Sequence, residues 1–538
     1  MTFRLVSAFL SVILGMTLAS AAQAAWYEAS SDHFVIYADD SEKDIREFSR
    51  NLERYHSALE AVTGRKVAKP SPSNRVTIFV VGNSREVRRL AGRNNVAGFY
   101  IPRAGGSRAF VQDIRNKDGY PHFSTVVLLH EYAHHFLISS NRFALPRWLN
   151  EGMAEFFAAT SFEKDGGVIL GRVARHRAYE LASTNPPTAR ELLDPEEFRR
   201  NRGPRDEGFY GRSWLLYHYL TFNETRRQQL DTYGRAIVDG TPLPEAAEQA
   251  FGDLEALETE LKAYRRNGDG GRFSAFELSA EELPIGDVSL RKLPKGEAAM
   301  MELRMVSQRG VTRKQAEELL PDVRKIAAKY PNDAGVLSAL AEAEYDAGND
   351  DAAIAAADKA IAIDPARTNP YVQKGYALFR KASDGDDAEA AYNDAMAPFS
   401  ALNAQENDHP LPLIYYYRSF AERGEVPPEN ARKALERAAE LAPFDQQLWL
   451  RVAVMQAQEG KIELAKFSLQ PLAANPHGGR SASLAGDFID VLDKIPEGTK
   501  FNLRSRPVVE IKIDEEQEPS DSESADPDQP ETKEDAPA

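Results

Sequence analysis

The spacing of apolar positions changes character several times along this chain. After Arg4 an apolar stretch runs from Leu5 to Leu18. His33 to Ala38 (HFVIYA) and Arg75 to Val81 (RVTIFVV) are short runs rich in β-branched and aromatic residues, which predicts two strands. Between them, from Ile45 to Val62, apolar residues recur at helical spacing and predict an amphipathic helix. Gly98 to Asp113, GFYIPRAGGSRAFVQD, is two β-like pieces around a Gly-Gly turn, a hairpin whose second piece, Arg108 to Gln112, is expected to supply a sheet edge. Thr125 to Ser139 lacks breakers and is long enough for a helix. Beyond Arg172 the pattern is helical, through FYGRSWLLYHYL and TPLPEAAEQAFGDLEALETELKAYRRN, until GDGGRF (268–273) marks a boundary.

The second half is alanine-rich, helical and punctuated at a fixed period. Pro331 and Pro365 lie 34 residues apart, and Pro443 and Pro476 lie 33 apart. Ala341, Tyr345, Gly348 and Ala353 follow the first proline at the offsets that Ala453, Ala457, Gly460 and Ala465 occupy after Pro443. Small residues at these offsets let two antiparallel helices approach, the glycine turns the chain, and the proline ends the pair. This pattern resembles tetratricopeptide repeats over about residues 296–480, clearest in two units, with a looser one from Pro365 and an insertion near Ser383 to Asp387.

At 538 residues the chain exceeds one compact core. The N-terminal apolar stretch falls short of the ~20 residues of a membrane span and ends in Ala22-Gln23-Ala24, which predicts a secretory signal over residues 1–24, with a retained anchor as the alternative. No cysteine occurs, so disulfides, thiol catalysis and cysteine metal sites are excluded; a periplasmic or secreted location is expected. The net charge is -16, of which the segment from Asp514 to Ala538 carries -10. That segment is expected to be a disordered acidic tail. No basic surface suited to nucleic acid is present.

Inside the predicted helix stands TVVLLHEYAHHFLI, Thr125 to Ile138. His130 and His134, four residues apart, project from one helix face about one turn apart, the separation at which two imidazoles reach one metal ion. Glu131 lies about 100° round the helix, where its carboxylate can reach a water on that metal. PRWLNEGMAEFF follows, with 16 residues between His134 and Glu151. The combination resembles the gluzincin metalloproteases, in which a second helix donates a glutamate after HExxH, and the phrase WLNEG, Trp148 to Gly152, is similar to that of the zinc aminopeptidases. The resemblance implies zinc held by His130, His134 and Glu151, with Glu131 as general base. It also implies that Glu155 orients the first histidine, third-ligand duty being the alternative, and that Tyr210, in FYGRSWLL, donates to the oxyanion; a tyrosine merely opening a core helix is the alternative. The combination looks closer to the peptidase MA-like domains found beside tetratricopeptide repeats in exported bacterial proteins.

His135 is expected on another helical face, His122 at the helix entry, and Arg172, Arg175 and Arg177 on a solvated face. The expected architecture is an α+β zincin-like catalytic domain over residues 25–267, a linker over 268–295, an all-α tetratricopeptide-repeat solenoid over 296–495, a connecting segment over 496–513 and the tail. The expected function is a zinc peptidase, cutting internally because a strand edge aligns peptides regardless of their ends, with repeats that recruit a protein substrate or partner. The alternative is an inactive repeat-based adaptor in the cell envelope.

Overall fold

The computed structural model describes residues 25–502 apart from 118–119, 183–184, 203–207, 269–272 and 384–387. The expected signal and tail therefore lie outside the described residues, as do most of the repeat insertion and the end of the connecting segment. No helix among the described residues is long and apolar enough to cross a membrane.

The first half is built on strands β1 (Tyr27–Ser30), β2 (Phe34–Ala38), β3 (Val76–Val80), β4 (Gly98–Ile101) and β5 (Arg108–Val111), with helices α1 (Glu42–Thr63) and α2 (Ser84–Ala91) between them. Two-residue strands β6 (Asn116–Lys117) and β7 (Tyr120–Pro121) lead into α3 (Phe123–Ser140) and α4 (Arg147–Ala158), the helices of the motif. Then follow β8 (Ser161–Phe162), β9 (Val168–Leu170) and the helices α5 (Arg175–Leu181), α6 (Ala189–Leu193), α7 (Pro195–Asn201), α8 (Gly208–Phe222), α9 (Arg227–Val238), α10 (Leu243–Phe251) and α11 (Leu254–Gly268). Strands β10 (Phe276–Leu278) and β11 (Ser289–Lys292) complete two sheets.

The main sheet has the order β11-β1-β2-β3-β5-β4, parallel through β2, β3 and β5 and antiparallel at β4 and β1. Both faces are covered, which is why its strands read as unbroken apolar runs. Phe34, Ile36, Val76, Ile78, Ala109 and Val111 join the core with α1 and α3, whereas Tyr37, Phe79, Phe99, Ile101 and Phe110 face the opposite side with Val87 and Leu90 of α2. The expected sheet edge at Arg108 to Gln112 is corrected here: β5 pairs with β3 on one side and β4 on the other, so β4 is the edge, and its four residues are buried. A Gly-Gly turn predicts a hairpin but not which arm finds a third strand.

The expected linker is also corrected. Within 268–295, β10 adds to β9 in a three-stranded sheet, and β11 pairs Ser289 to Lys292 against Ser30 to Tyr27. Each strand is too short to leave a periodic signal.

The second half is a helical solenoid of antiparallel pairs: α12 (Lys295–Gln308) with α13 (Arg313–Lys329), α14 (Ala334–Asp346) with α15 (Asp350–Ile363), and α16 (Asn369–Ser383) with α17 (Ala388–Gln405). Helix α18 (Pro410–Ala421) pairs with α19 (Glu429–Leu441), α20 (Gln446–Gln458) with α21 (Ile462–Ala473), and α22 (Gly479–Leu492) closes the array. Gly460 turns the chain between α20 and α21 at φ 84°, and a Cβ there would come within 2.8 Å of the Gly498 carbonyl oxygen.

The solenoid is bound to the sheet domain along its length. Met301 and Met305 of α12 are buried with Phe99, Ile101 and Phe110. The Asn74 side chain donates to the Leu441 carbonyl at 2.8 Å, the Ala104 N–H donates to Asp445 at 2.8 Å, and the His135 ring packs on Phe444 at a 31° tilt with centroids 4.3 Å apart. Between the two bodies lies a polar cavity of about 1210 Å³, with Arg103, Arg108 and Arg304 among the residues that face Glu342 and Asp346.

Candidate metal centre

Helices α3 and α4 pack side by side, and α8 lies against α4. Gly152 permits the second approach, because a Cβ there would come within 2.5 Å of the Ser213 carbonyl oxygen. Helix α3 then presents His130 and His134, and α4 presents Asn150, Glu151 and Glu155.

Four donors converge: His130, His134, Glu151 and His477, with ligand atoms all within 4.8 Å of one another. The Nε2 atoms of His130 and His134 are 3.1 Å apart, and Glu151 Oε2 lies 3.3 Å from His134 Nε2 and 3.5 Å from His130 Nε2. His477 Nε2 stands 3.2 Å from His134 Nε2 and 3.0 Å from Glu151 Oε1. Donors about 2.0–2.1 Å from a tetrahedral zinc sit about 3.3 Å from each other, close to the separations among His130, His134 and Glu151 Oε2, while His477 meets Glu151 through Oε1. Glu151 is wholly buried, and neither carboxylate oxygen accepts a hydrogen bond among the described residues. An unsatisfied buried carboxylate is costly, and a central cation would satisfy it.

The imidazoles of His130 and His134 are each held by the other nitrogen. His134 Nδ1 is 3.0 Å from Asn150 Oδ1, and His130 Nδ1 is 3.2 Å from Glu155 Oε1. Both acceptors hold a proton on Nδ1 and so aim Nε2 at the cluster. Arg177 anchors Glu155 in turn, with Nη2 2.8 Å and Nε 3.0 Å from Oε1, and its guanidinium lies 4.4 Å over the Tyr210 ring.

The charged groups of the pocket shift one another in pairs. Burial pushes the His130 imidazole down, but Glu155 and Glu151 raise it to about 10. Burial pushes the Glu155 carboxyl up, but Arg177 and His130 hold it well below the usual carboxylate range. The Glu151 carboxyl, pushed up by burial, is held well down by His477 and His134.

Glu131 is 8% exposed and makes no side-chain hydrogen bond among the described residues; its charge acts on His477. Tyr210 is buried behind Arg177. His122 caps α3 by accepting from the Ser124 N–H, and His135 points away from the cluster, 2.6 Å from Tyr100 Oη. Arg177 is a correction: it is ion-paired with Glu155 and Glu180 rather than solvated. Its spacing with Arg172 and Arg175 looks like a surface stripe, but Arg172 bonds Ser161 and both flank the Tyr120 ring. Sequence reasoning misses Asn150 and His477. Asn150 has a signal in its place beside Glu151; His477, 343 residues from His134, leaves no spacing signal.

A family described as "Protein of unknown function (DUF1570)" matches residues 123–243. No curated protein matches the chain. Among solved structures, the chain is similar to a thermophilic TPR protein of Thermus thermophilus, at 14% identity and TM-score 0.31, covering 36% of this chain and 97% of that one. It is also similar to MamA, at 15% identity and TM-score 0.25 over 37% and 99% of the two chains. For MamA of Desulfovibrio magneticus from residue 41 onward, the values are 17% identity and TM-score 0.25 over 36% and 95%. The match to the family of unknown function thus spans α3, α4 and α8, the helices that carry HExxH, Glu151, Glu155 and Tyr210, and leaves His477 outside it.

Proposed function

We propose that this chain is an exported zinc-dependent peptidase whose metal is held by His130, His134 and Glu151, with repeats that bring in a protein substrate or partner. The observation that carries this reading is the wholly buried Glu151 carboxylate, without a hydrogen bond and within 3.0–3.5 Å of three imidazole nitrogens.

When bound, zinc would supply Lewis acidity toward water and the scissile carbonyl. The rest falls to the chain. Glu131 takes the proton of the attacking water on its carboxylate and delivers it to the leaving nitrogen. Asn150 and Glu155 fix the imidazoles, Arg177 keeps Glu155 ionised, and Tyr210 is assigned the hydrogen bond to the oxyanion. A second reading, an inactive repeat-based adaptor, is favoured by one feature, the presence of His477 where a hydrolytic centre keeps an open position.

The test is metal analysis with hydrolysis of a mixed peptide pool. The full chain should hold about one zinc, and His130→Ala, His134→Ala or Glu151→Ala should each release most of it. Glu131→Gln should keep the metal and lose about 10²- to 10⁴-fold in hydrolysis. Zinc retained by all three ligand variants would overturn the reading, and zinc without hydrolysis under every condition would leave the adaptor.

A further inference from the structure

His477 is the only donor of the cluster that comes from the solenoid. It lies between α21 and α22, in a turn where the His477 N–H donates to Asn475 Oδ1 at 2.9 Å and the Gly478 N–H to the Asn475 carbonyl at 3.0 Å. Its side chain is turned away from the repeats: its polar and ring partners are His134, Glu151 and His130, all in the first domain. A histidine serving the helix array would have partners there, and this one has none among the described residues.

We propose that His477 is the fourth protein ligand of the metal, so that the resting chain holds a closed tetrahedral centre spanning both domains and opens it only when the last repeats lift away. The inference rests on the metal reading given above. Its Nε2 stands 3.2 Å from His134 Nε2, an ordinary ligand–ligand separation, and 3.0 Å from Glu151 Oε1, and one donor atom from each of the four residues lies within 4.8 Å of the others. A fourth protein ligand fills the position that hydrolysis reserves for water. The docking contacts at Asn74, Ala104 and His135 deliver that ligand, so a partner or substrate that displaces the last repeats also uncovers the metal. In this arrangement the repeats recruit and unlock in one step.

Cobalt(II) and azide test the assignment without relying on catalysis. The full chain should bind one cobalt with the intense visible absorption of four-coordinate geometry, and millimolar azide should leave that spectrum unchanged. His477→Ala should also bind one cobalt, at least about tenfold more weakly, the scale that loss of an outer partner of a ligand already costs. Its spectrum should shift saturably with azide, which enters the vacated position. His477→Gln, which keeps a polar side chain beside Glu151, serves as the variant less prone to misfolding and should respond in the same way. Equal azide responses in the full chain and both variants would overturn the fourth ligand while leaving the three-ligand metal site standing. A full chain that takes up no cobalt would overturn the metal centre and His477's role with it.

Discussion

Arg177 touches no donor of the cluster, yet the state of His130 depends on it. Its guanidinium neutralises buried Glu155, and Glu155 sets the His130 tautomer. Arg177→Ala should therefore cost about 3–5 kcal/mol in stability, the penalty for stranding a buried charge, and lower zinc affinity about 10- to 100-fold. Thermal melts and metal titration read the two effects separately. His218 gives a prediction of another kind. It is fully buried, with Nδ1 2.8 Å from Tyr264 Oη and Nε2 2.9 Å from the Ser274 carbonyl, so Nε2 donates and the ring is neutral. Burial lowers its pKa from 6.5 to about 4. The folded state thus binds fewer protons than the unfolded state in that window. Its contribution is complete above about pH 6.5 and is lost as pH falls towards 4, about 3 kcal/mol in all. Denaturant midpoints from pH 7 to 4 should fall less steeply in His218→Gln. Legibility at this scale follows distance along the chain. His130 and His134 declare themselves through a four-residue spacing, whereas Arg177 and His477 acquire meaning only from neighbours the fold brings to them.

The elements that the apolar pattern predicts are those long or apolar enough to leave a period. Helices α1 and α3 and strands β2 and β3 lie within a few residues of their expected bounds. Strands β10 and β11, of 3 and 4 residues, leave none, and so a folded segment looks like a linker. A fragment ending at residue 267 would lose β11 from the edge of β1 and, with α12, the burial of Met301 and Met305. Those two side chains contribute about 1.5–3 kcal/mol each, a large share of the ~5–15 kcal/mol that stabilises an ordinary domain. The fragment 25–267 should therefore melt broadly or not at all by near-ultraviolet dichroism, while one extended to residue 310 should regain a cooperative transition. Equal transitions in both would mean that the first sheet does not need the solenoid's opening helix.

For the whole molecule, the period of the prolines makes the helix array legible, but nothing in it tells that the array curls back onto the first domain. Beyond the buried methionines of α12, such docking rests on single contacts scattered over loops, among them Asn74, which is 4% exposed, donates to the Leu441 carbonyl and accepts from the Gly105 N–H at 3.1 Å. Asn74→Ala leaves both backbone groups unpaired and should weaken docking by about 1–2 kcal/mol. Amide exchange across α20 and α21 should then quicken about five- to thirty-fold, with little change in α1.

The distance between His134 and His477 along the chain also sets a clock. A ribosome adding about 5–20 residues per second needs roughly half a minute to cover those 343 residues. During that interval a nascent first domain has two histidines and a glutamate but not the last histidine. The order of synthesis therefore separates two ages of the same protein, a young one with three donors and a finished one with four, and any chain ending before residue 477 stays young permanently.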